Sequence, residues 1–357
     1  MEKITSLWKN NLNAPCLYPI AFPSQEPVSG LSILAADVGG TKTNIALFRT
    51  SGEEIEMINE STFPSQEYRS FIDIFHKFIE GKSLPDRLSI GVAGPVIRGK
   101  ASATNLNWGI DRNELKQKLN LDSVFVLNDL ETNAYGLAAL KDEDLLTLHA
   151  GEDDVPGNAA MIAPGTGLGE AGLYWDGNRF RPFANEGGHS DFGVRMDIDI
   201  ELFKYLRAQF GHVSWERVVS GQGVNTIYHF LKDIKKREEP RWLADALQAG
   251  DPPAVISEHA KKGVPICEET MKLFVRYLAQ EAANVSLKLK AVGGLLIGGG
   301  IVPKNLELLN MENFLSHFFR GGRLSPLLKA IPIRVILNPK TALLGAAYYG
   351  AFGQKNQ

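Results

Sequence analysis

The feature that most constrains the fold is a pair of similar turns, each flanked by two apolar segments. The first lies in LAADVGGTKTNIAL, residues 34–47, and the second in MIAPGTGLGEAGLYW, residues 161–175, about 125 residues further along the chain. In such turns glycine lets the backbone approach a ligand closely, and the backbone N–H groups can bind phosphate oxygens. The repetition predicts two related halves that face each other across one ligand.

Asp37 is an unexpected residue beside a phosphate-binding turn, because its charge would repel the phosphate. A divalent cation between them removes the conflict, since hard cations bind carboxylate and phosphate oxygens together. The alternative is a solvated Gly-Gly hairpin turn that Asp37 caps. A third glycine turn, LLIGGGIVP at residues 295–303, favours the ligand-binding interpretation. None of the three turns has the P-loop or the dinucleotide-binding signature.

Segments typical of strands and helices alternate along the 357 residues, which predicts an α/β architecture long enough for two domains. We predict strands at 32–36, 45–48, 88–93, 124–127, 159–163, 295–297 and 333–337. We predict helices at 112–119, with Asp111 as N-cap, at 132–140 and at 266–289, the last with an apolar stripe at intervals of three and four.

Composition excludes several classes of partner. The net charge of −3 is spread over interspersed acids and bases, so neither nucleic acid nor an anionic membrane is an expected partner. Cys16 and Cys267 are too few for a disulfide framework or a cysteine-based zinc site, which fits a reducing interior. The apolar runs 291–302 and 342–352 are shorter than the roughly 20 residues that span a bilayer.

The first 30 residues contain four prolines and no apolar core of a secretory signal. We predict a short helix near residues 4–11 followed by an extended arm packed on the body of the protein. A poorly ordered tail is the alternative.

The segment VFVLNDLETNAYGL, residues 124–137, contains the best candidate for a catalytic group. Asn128 and Asp129 follow a buried strand and precede a helix, and in open α/β sheets ligands bind outside the carboxyl ends of strands. Asp129 could therefore be a general base that takes the proton of an attacking hydroxyl. The alternative is a helix cap.

The segment FANEGGHSDFG, residues 183–193, brings Glu186, His189 and Asp191 around a Gly-Gly turn. Two acids and a histidine suit a polyol clamp, because each sugar hydroxyl both donates and accepts hydrogen bonds. A surface turn and a metal site are the alternatives. Two further segments are candidates for the same clamp: ATNLNW with Asn105 and Trp108, and GHVSWERVVSG with Glu216. Taken alone, Glu216 is more typical of a solvated helix acid.

Together these segments resemble the bacterial-type glucokinase family of the hexokinase and actin-like ATPase superfamily. DVGGTKTN resembles its first phosphate motif, LNDLETNAYGL its catalytic segment, APGTGLGEAGL its second phosphate motif, EGGHSDF and GHVSWERVVSG its sugar-binding segments, and LIGGGIVP its adenosine region. The matches follow the family's order from about residue 31 to residue 353. The resemblance implies the actin-like ATPase (ribonuclease H-like) fold, with two α/β domains and a cleft between them. We place an N-terminal arm at 1–30, a small domain at 31–139 plus 341–357, and a large domain at 140–340.

The resemblance also implies a role for each candidate residue. Asp129 would be the base that activates the primary hydroxyl of the sugar, and Asp37 would place Mg²⁺ through water. The residues implied in sugar binding are Asn105, Asn128, Asp129, Glu186, His189 and Glu216. Those implied in ATP binding are Ala36, Asp37, Val38, Gly39, Gly40, Thr41, Gly165, Thr166, Gly167, Gly298, Gly299 and Gly300.

The implied activity is transfer of the ATP γ-phosphoryl group to the 6-hydroxyl of glucose, the first step of glycolysis, by a cytoplasmic homodimer. The alternatives are a kinase for another hexose or amino sugar, and an actin-like ATP-switched protein without sugar chemistry. The clamp segment argues against the second. The related family of repressors, open reading frames and kinases carries a cysteine-rich zinc motif after its histidine, and no cysteine lies near His189. The arm is also too short and proline-rich for the helix-turn-helix domain of a repressor.

Overall fold

A computed structural model describes residues 17–24, 29–51, 54–102, 106–152, 156–309 and 311–353. The strands in chain order are β1 (Ser32–Val38), β2 (Lys42–Ser51), β3 (Glu54–Pro64), β4 (Arg87–Val92), β5 (Val96–Ile97), β6 (Lys100–Ser102), β7 (Gly109–Asp111), β8 (Ser123–Asn128), β9 (Leu145–His149), β10 (Ala159–Pro164), β11 (Leu168–Trp175), β12 (Phe180–Asn185), β13 (Gly294–Ile297) and β14 (Ile333–Ile336). The helices are α1 (Phe71–Ile79), α2 (Arg112–Leu119), α3 (Asp129–Gly136), α4 (Asp197–Phe210), α5 (Gly221–Asp233), α6 (Arg241–Ala249), α7 (Pro252–Lys261), α8 (Pro265–Leu289), α9 (Met311–Phe318), α10 (Ser325–Ala330) and α11 (Thr341–Phe352).

Two sheets with the same strand arrangement form the framework. The first has the order β3-β2-β1-β4-β8, and the second β12-β11-β10-β13-β14, with β9 added at its edge. In each sheet a hairpin starts the unit, and two further strands run parallel to its first strand. The predicted pair of related halves is therefore confirmed, and both glycine turns lie at equivalent hairpins, β1-β2 and β10-β11.

The central strands are buried along their whole length because helices pack on the sheets. All six residues of β4 and of β10 are buried. Helix α8 runs through the core beside the second sheet, and seven of the eight residues predicted as its apolar stripe are buried, with Leu289 partly buried. It begins with Pro265 in its first turn, where proline lacks only an N–H that would be unpaired anyway.

Helix α11 packs on the first sheet although it is the last helix of the chain. Its small and apolar side chains contact those of β1 and β2; the buried members are Ile33, Ala35, Ala46, Phe48, Leu343, Ala346, Ala347 and Ala351. It also crosses α3 at two glycines. A Cβ on Gly345 would lie 1.7 Å from the carbonyl oxygen of Thr132, and one on Gly136 would lie 2.0 Å from that of Thr341. The two backbones touch, so only glycine fits at the crossing.

The described part of the N-terminal segment is extended and packs on the second sheet. Ile20 forms a parallel bridge with Phe180, and the N–H of Ala21 donates to the Phe180 carbonyl at 2.8 Å. Phe22 stacks on Phe352 with ring centroids 4.9 Å apart. The helix predicted near residues 4–11 and the predicted site residue Asn105 lie outside the described residues, as does Cys16.

Every strand predicted above is present, and helix 112–119 has its predicted bounds with Asp111 as N-cap. The helix predicted at 132–140 instead begins at Asp129 and ends at Gly136, followed by a 3₁₀ turn, Leu137–Ala139. In the part of the chain that the structure describes, no helix has the length and hydrophobicity to cross a membrane.

Candidate active site

The first glycine turn joins β1 and β2 and presents Asp37 at the end of β1. The Gly39 N–H donates to the Lys42 carbonyl at 3.0 Å, which closes the turn. Asp37 is half-buried, and Asn44 Nδ2 donates to its Oδ2 at 3.3 Å. Burial raises the pKa of Asp37, while Asn44 and the Lys42 charge oppose the rise. The turn thus has the glycine composition that suits phosphate binding, and it lies beside a carboxylate that a cation would stabilise.

Ser65 supports this turn and was not found from the sequence. It is fully buried, its Oγ donates to the Gly39 carbonyl at 2.7 Å, and its N–H donates to the Thr41 carbonyl at 3.0 Å. Trp108 Nε1 donates to the Ser65 carbonyl at 3.4 Å. Because β2 and β3 separate Ser65 from the turn in the sequence, only the pairing of those strands reveals the contact.

The second glycine turn is bound to Glu216. The Gly165 N–H donates to the Gly167 carbonyl at 2.8 Å, and the Leu168 N–H donates to Glu216 Oε2 at 3.0 Å. A Cβ on Gly167 would lie 2.4 Å from the same oxygen, so a larger residue would displace the carboxylate. Glu216 lies half-buried in a 3₁₀ turn, and the interpretation of Glu216 as a solvated helix acid is therefore wrong.

The third glycine turn follows β13 at the same end of the second sheet. The Gly298 N–H donates to the Ile162 carbonyl of β10 at 2.8 Å, and the Ile301 N–H to the Pro164 carbonyl at 3.3 Å. Because Pro164 leads directly into the second glycine turn, residues 165–167 and 298–300 lie side by side. One extended ligand could contact both.

Asp129 lies at the carboxyl end of β8, where α3 begins. The cap of α3 is its neighbour Asn128, whose Oδ1 accepts from the N–H groups of Leu130 and Glu131 at 2.9 and 3.3 Å. Asn128 Nδ2 donates to the Gly94 carbonyl at 3.0 Å, which fixes the amide. Asn128, not Asp129, is therefore the cap of α3, and Asp129 Oδ1 accepts from the Leu130 N–H at 2.9 Å.

The surroundings of Asp129 raise its pKa to about 7. Burial is the largest cause, the charge of Asp37 adds to it, and Glu186 contributes further, while the Leu130 N–H opposes the rise. Two segments distant in sequence, those of Asp37 and Glu186, thus act on this carboxyl group. The following residue, Leu130, packs with Ala163 and Ala171 of the second sheet, so the two halves of the molecule meet here.

Glu186 and His189 lie together on a 3₁₀ turn, Gly187–His189, after β12. Their side chains are about half exposed, and His189 Nε2 lies 3.9 Å from Glu186 Oε2. Asp191 is directed elsewhere: its carboxylate is largely exposed and lies 2.9 Å from His212 Nε2. Within the described residues, no group of three histidine, cysteine or acidic side chains is placed to hold a metal ion, which disfavours the metal interpretation of this turn.

The backbone joins this turn to the segment of Glu216. The Trp215 N–H donates to the Ser190 carbonyl at 3.0 Å, and the Phe192 N–H donates to the Val213 carbonyl at 2.9 Å. Glu186, His189 and Glu216 are therefore carried by one connected surface of the second half. Of the remaining predicted residues, Ala36 and Val38 are buried in β1, whereas Thr41 and Thr166 are exposed in their turns.

A duplicated sheet of this topology, with a glycine turn at the equivalent hairpin of each half, is the actin-like ATPase fold, and the acidic and histidine side chains beside the turns define a sugar kinase of that class. The family model "Glucokinase" matches residues 34–352, and the chain belongs to the glucokinase family. The glucokinase of Trichormus variabilis is 39% identical over 337 residues, which cover 89% of this chain and 98% of that protein.

Solved structures agree with this assignment. A crystal structure of glucokinase from an Antarctic psychrotroph has a TM-score of 0.73 at 30% identity and covers 89% of this chain and 98% of that one. The glucokinase of Balamuthia mandrillaris in complex with glucose has a TM-score of 0.76 at 22% identity, covering 91% and 94%, and it supports the fold.

Proposed function

We propose that the chain is a glucokinase that transfers the γ-phosphoryl group of ATP to the 6-hydroxyl of glucose and gives glucose 6-phosphate and ADP. The observation that carries the proposal is the environment of Asp129. Asp37 of the first glycine turn and Glu186 both raise the pKa of Asp129. A carboxylate with a pKa of about 7 is basic enough to accept a hydroxyl proton at neutral pH.

In this mechanism the protein acts mainly by positioning and by stabilising charge. Asp129 takes the proton of the 6-hydroxyl as that oxygen attacks the γ-phosphorus, and the remaining hydroxyls are held by Asn105, Asn128, Glu186, His189 and Glu216. The N–H groups of residues 39–41 and 165–167 hold the phosphates, and residues 298–300 lie along the adenosine. Asn128 can serve both α3 and the sugar because its amide has two N–H donors, of which Gly94 takes one.

Asp37 fits the requirements of a magnesium site. Mg²⁺ in nucleotide sites takes one or two carboxylates together with substrate phosphates and water. Asp37 offers one half-buried carboxylate at the turn proposed to hold phosphate, and its raised pKa means that a cation would stabilise the charged form. We propose that it holds Mg²⁺ through water. The bound cation would supply neutralisation of charge on the phosphate oxygens.

The remaining features follow from the family. We propose that the small domain, 31–139 plus 341–357, and the large domain, 140–340, close over glucose, because water could otherwise replace the sugar hydroxyl as acceptor. We also propose that the enzyme acts in the cytoplasm as a homodimer, at the first step of glycolysis.

The test is steady-state phosphorylation with Mg-ATP against glucose, mannose, fructose, galactose, glucosamine and N-acetylmannosamine, with ADP release as the readout. We expect glucose to lead in kcat/KM by about 100-fold or more, because a site built to hydrogen-bond hydroxyls rejects an analogue that leaves its polar groups unpaired. A different leading sugar would change the substrate and keep the reaction. ATP binding without stimulation of ADP release by any sugar would overturn the proposal and favour an ATP-switched protein.

A further inference from the structure

Two buried carboxyl groups near the sugar-binding surface have no part in the proposed chemistry. Glu170 of β11 is 2% exposed, and Glu281 of α8 is fully buried. Among the described residues, Oε1 of each group lacks a hydrogen-bond partner. Each of the two groups nevertheless alters the pKa of the other. One proton shared between the two carboxyl groups would provide both unpaired oxygens with a partner, which buried polar atoms require.

The charged and polar groups around the pair favour placing this proton on Glu170. Asn284 Nδ2 donates to Glu281 Oε2 at 2.8 Å, and Lys288 Nζ lies 3.6 Å from Glu281 Oε1. Arg195, from the segment before α4, donates to Asn284 Oδ1 at 3.2 Å and acts on Glu281 through its charge. All three stabilise the ionised form of Glu281. Burial and the charge of Glu281 raise the pKa of Glu170 to about 8.

Glu170 also supports the turn that carries Glu186 and His189. A Cβ on Gly187 would lie 1.9 Å from Glu170 Oε2, so the carboxyl group lies directly against this backbone. On the same side, the Gly187 N–H donates to Asn185 Oδ1 at 2.7 Å, and Asn185 is the β12 partner of Glu170 in the sheet. The groups of the turn and of β12 that face Glu170 are therefore backbone atoms and the uncharged side-chain amide of Asn185.

We propose that Glu170 is a positioning residue, which holds the turn of Glu186 and His189 in its glucose-binding shape while it shares a proton with Glu281. The inference rests on the proposed function, since it concerns the affinity for glucose. Without the shared proton, two charges would face each other in a buried space, and the turn would have to move to admit water. The KM for glucose should respond to this change much more than the KM for ATP.

The experiment compares wild type, Glu170→Gln and Glu281→Gln between about pH 6.5 and pH 9.5, with the KM for glucose, the KM for ATP and the thermal midpoint as readouts. In wild type we expect the KM for glucose to rise roughly three- to tenfold above about pH 8, as expected for the loss of one proton. The thermal midpoint should instead fall as pH rises from about 6.5 to about 8 and level off above that, because the stability that a carboxyl group gains from a pKa raised by folding is lost between its unfolded and its folded pKa. In both glutamine variants the side-chain amide supplies, at every pH, the hydrogen-bond donor that the shared proton supplies in wild type. The KM for glucose and the thermal midpoint of these variants should therefore not change with pH.

Glu143→Gln, at an exposed site, is the matched control and should keep the alkaline change of wild type. Wild-type curves that are flat, or glutamine variants that lose glucose affinity at high pH as wild type does, would overturn the inference. Active phosphorylation of glucose by wild type at pH 7.5 separates that result from failure of the proposed function. If no sugar is a substrate, the thermal midpoints still decide whether the pair shares a proton.

Discussion

At the scale of single residues, the site depends on acids held in partly buried positions. Asp37, Asp129 and Glu170 each have a pKa raised chiefly by burial, yet the neighbours of each differ. Asp37 lies at a turn suited to phosphate and a cation. Asp129 is influenced by both Asp37 and Glu186, and Glu170 faces another carboxyl group. The same physical cause therefore supports three different roles.

Replacing Asp129 by Asn should reduce kcat by roughly 10² to 10⁴ and leave glucose binding largely intact, since the amide keeps the shape but cannot take a proton. Steady-state kinetics and calorimetric titration with glucose measure the two quantities. Asp191→Asn is the control, because Asp191 contacts His212 at the surface, and its kcat should stay within about twofold of wild type. Turnover near the wild-type rate in Asp129→Asn would rule out the general-base role.

The pH dependence of kcat/KM for glucose should report the ionisation of Asp129. Only the ionised carboxylate can accept the proton, so kcat/KM should be constant between about pH 7 and pH 8 and fall up to tenfold per pH unit below about pH 7. The measurement is a series of initial rates from about pH 5.5 to pH 8, with the thermal midpoint at each pH to exclude unfolding. An inflection near the ordinary pKa of aspartate would contradict the assigned environment.

At the scale of elements, the contact of α3 with α11 allows a direct test. Gly345→Ala should lower the free energy of unfolding by roughly 2 kcal/mol or more, because the new Cβ would collide with the Thr132 carbonyl and the overpacking exceeds the gain in helix propensity. Denaturant unfolding measures the change. Gly221→Ala is the matched helical control: the nearest atom to its Cβ would be 3.5 Å away, so its stability should be unchanged or slightly increased.

Arg87 joins the first sheet to the end of α11. Its Nη1 donates to the carbonyl oxygens of Gly350, Ala351 and Gly353 at 2.8 to 3.1 Å, and the residue is 7% exposed. Arg87→Met should lower the free energy of unfolding by about 2 to 3 kcal/mol, because the buried carbonyl groups at the end of α11 lose their charged hydrogen-bond donor. Arg49→Met, at an exposed position of β2, should be neutral; equal losses in both variants would refute the capping role.

The sequence predicts those strands and helices whose hydrophobic pattern lies within one continuous segment. Long apolar strands and the stripe of α8 were found because burial on both faces leaves a continuous signal. β3 was not predicted: it is an edge strand rich in Glu and Asn, which disfavour strands, and it depends on pairing with β2. The contacts of Ser65, of Glu216 and of the Glu170–Glu281 pair join residues far apart in the chain, so no local pattern could indicate them.

At the scale of the whole molecule, the two halves share a topology but have diverged where the chemistry lies. Asp37 is the penultimate residue of β1, and the corresponding residue of β10 is Ala163. An acid therefore occupies this strand position in only one of the two equivalent hairpins. The duplication accounts for the two similar glycine turns, and the single acid at the end of β1 agrees with the proposal of one cation at the nucleotide.

Removal of α11 should prevent the first half from folding. A chain that ends at residue 340 would expose Ile33, Ala35, Ala46 and Phe48, which that helix now covers. We expect rapid proteolysis within residues 31–139 and no ATP-dependent protection, measured by limited digestion. A chain that ends at residue 353 retains α11 and should resist digestion as the full chain does.

The position of α11 also has a consequence for synthesis on the ribosome. Domains generally fold in order as the chain emerges, at about 5 to 20 residues per second. β1 and β2 emerge before the other described strands, whereas α11, which covers them, is translated about 200 residues after α3. For roughly 10 to 40 s at those rates the apolar face of the first sheet has no cover. We expect this face of the nascent chain to be a binding surface for chaperones until α11 has emerged from the ribosome.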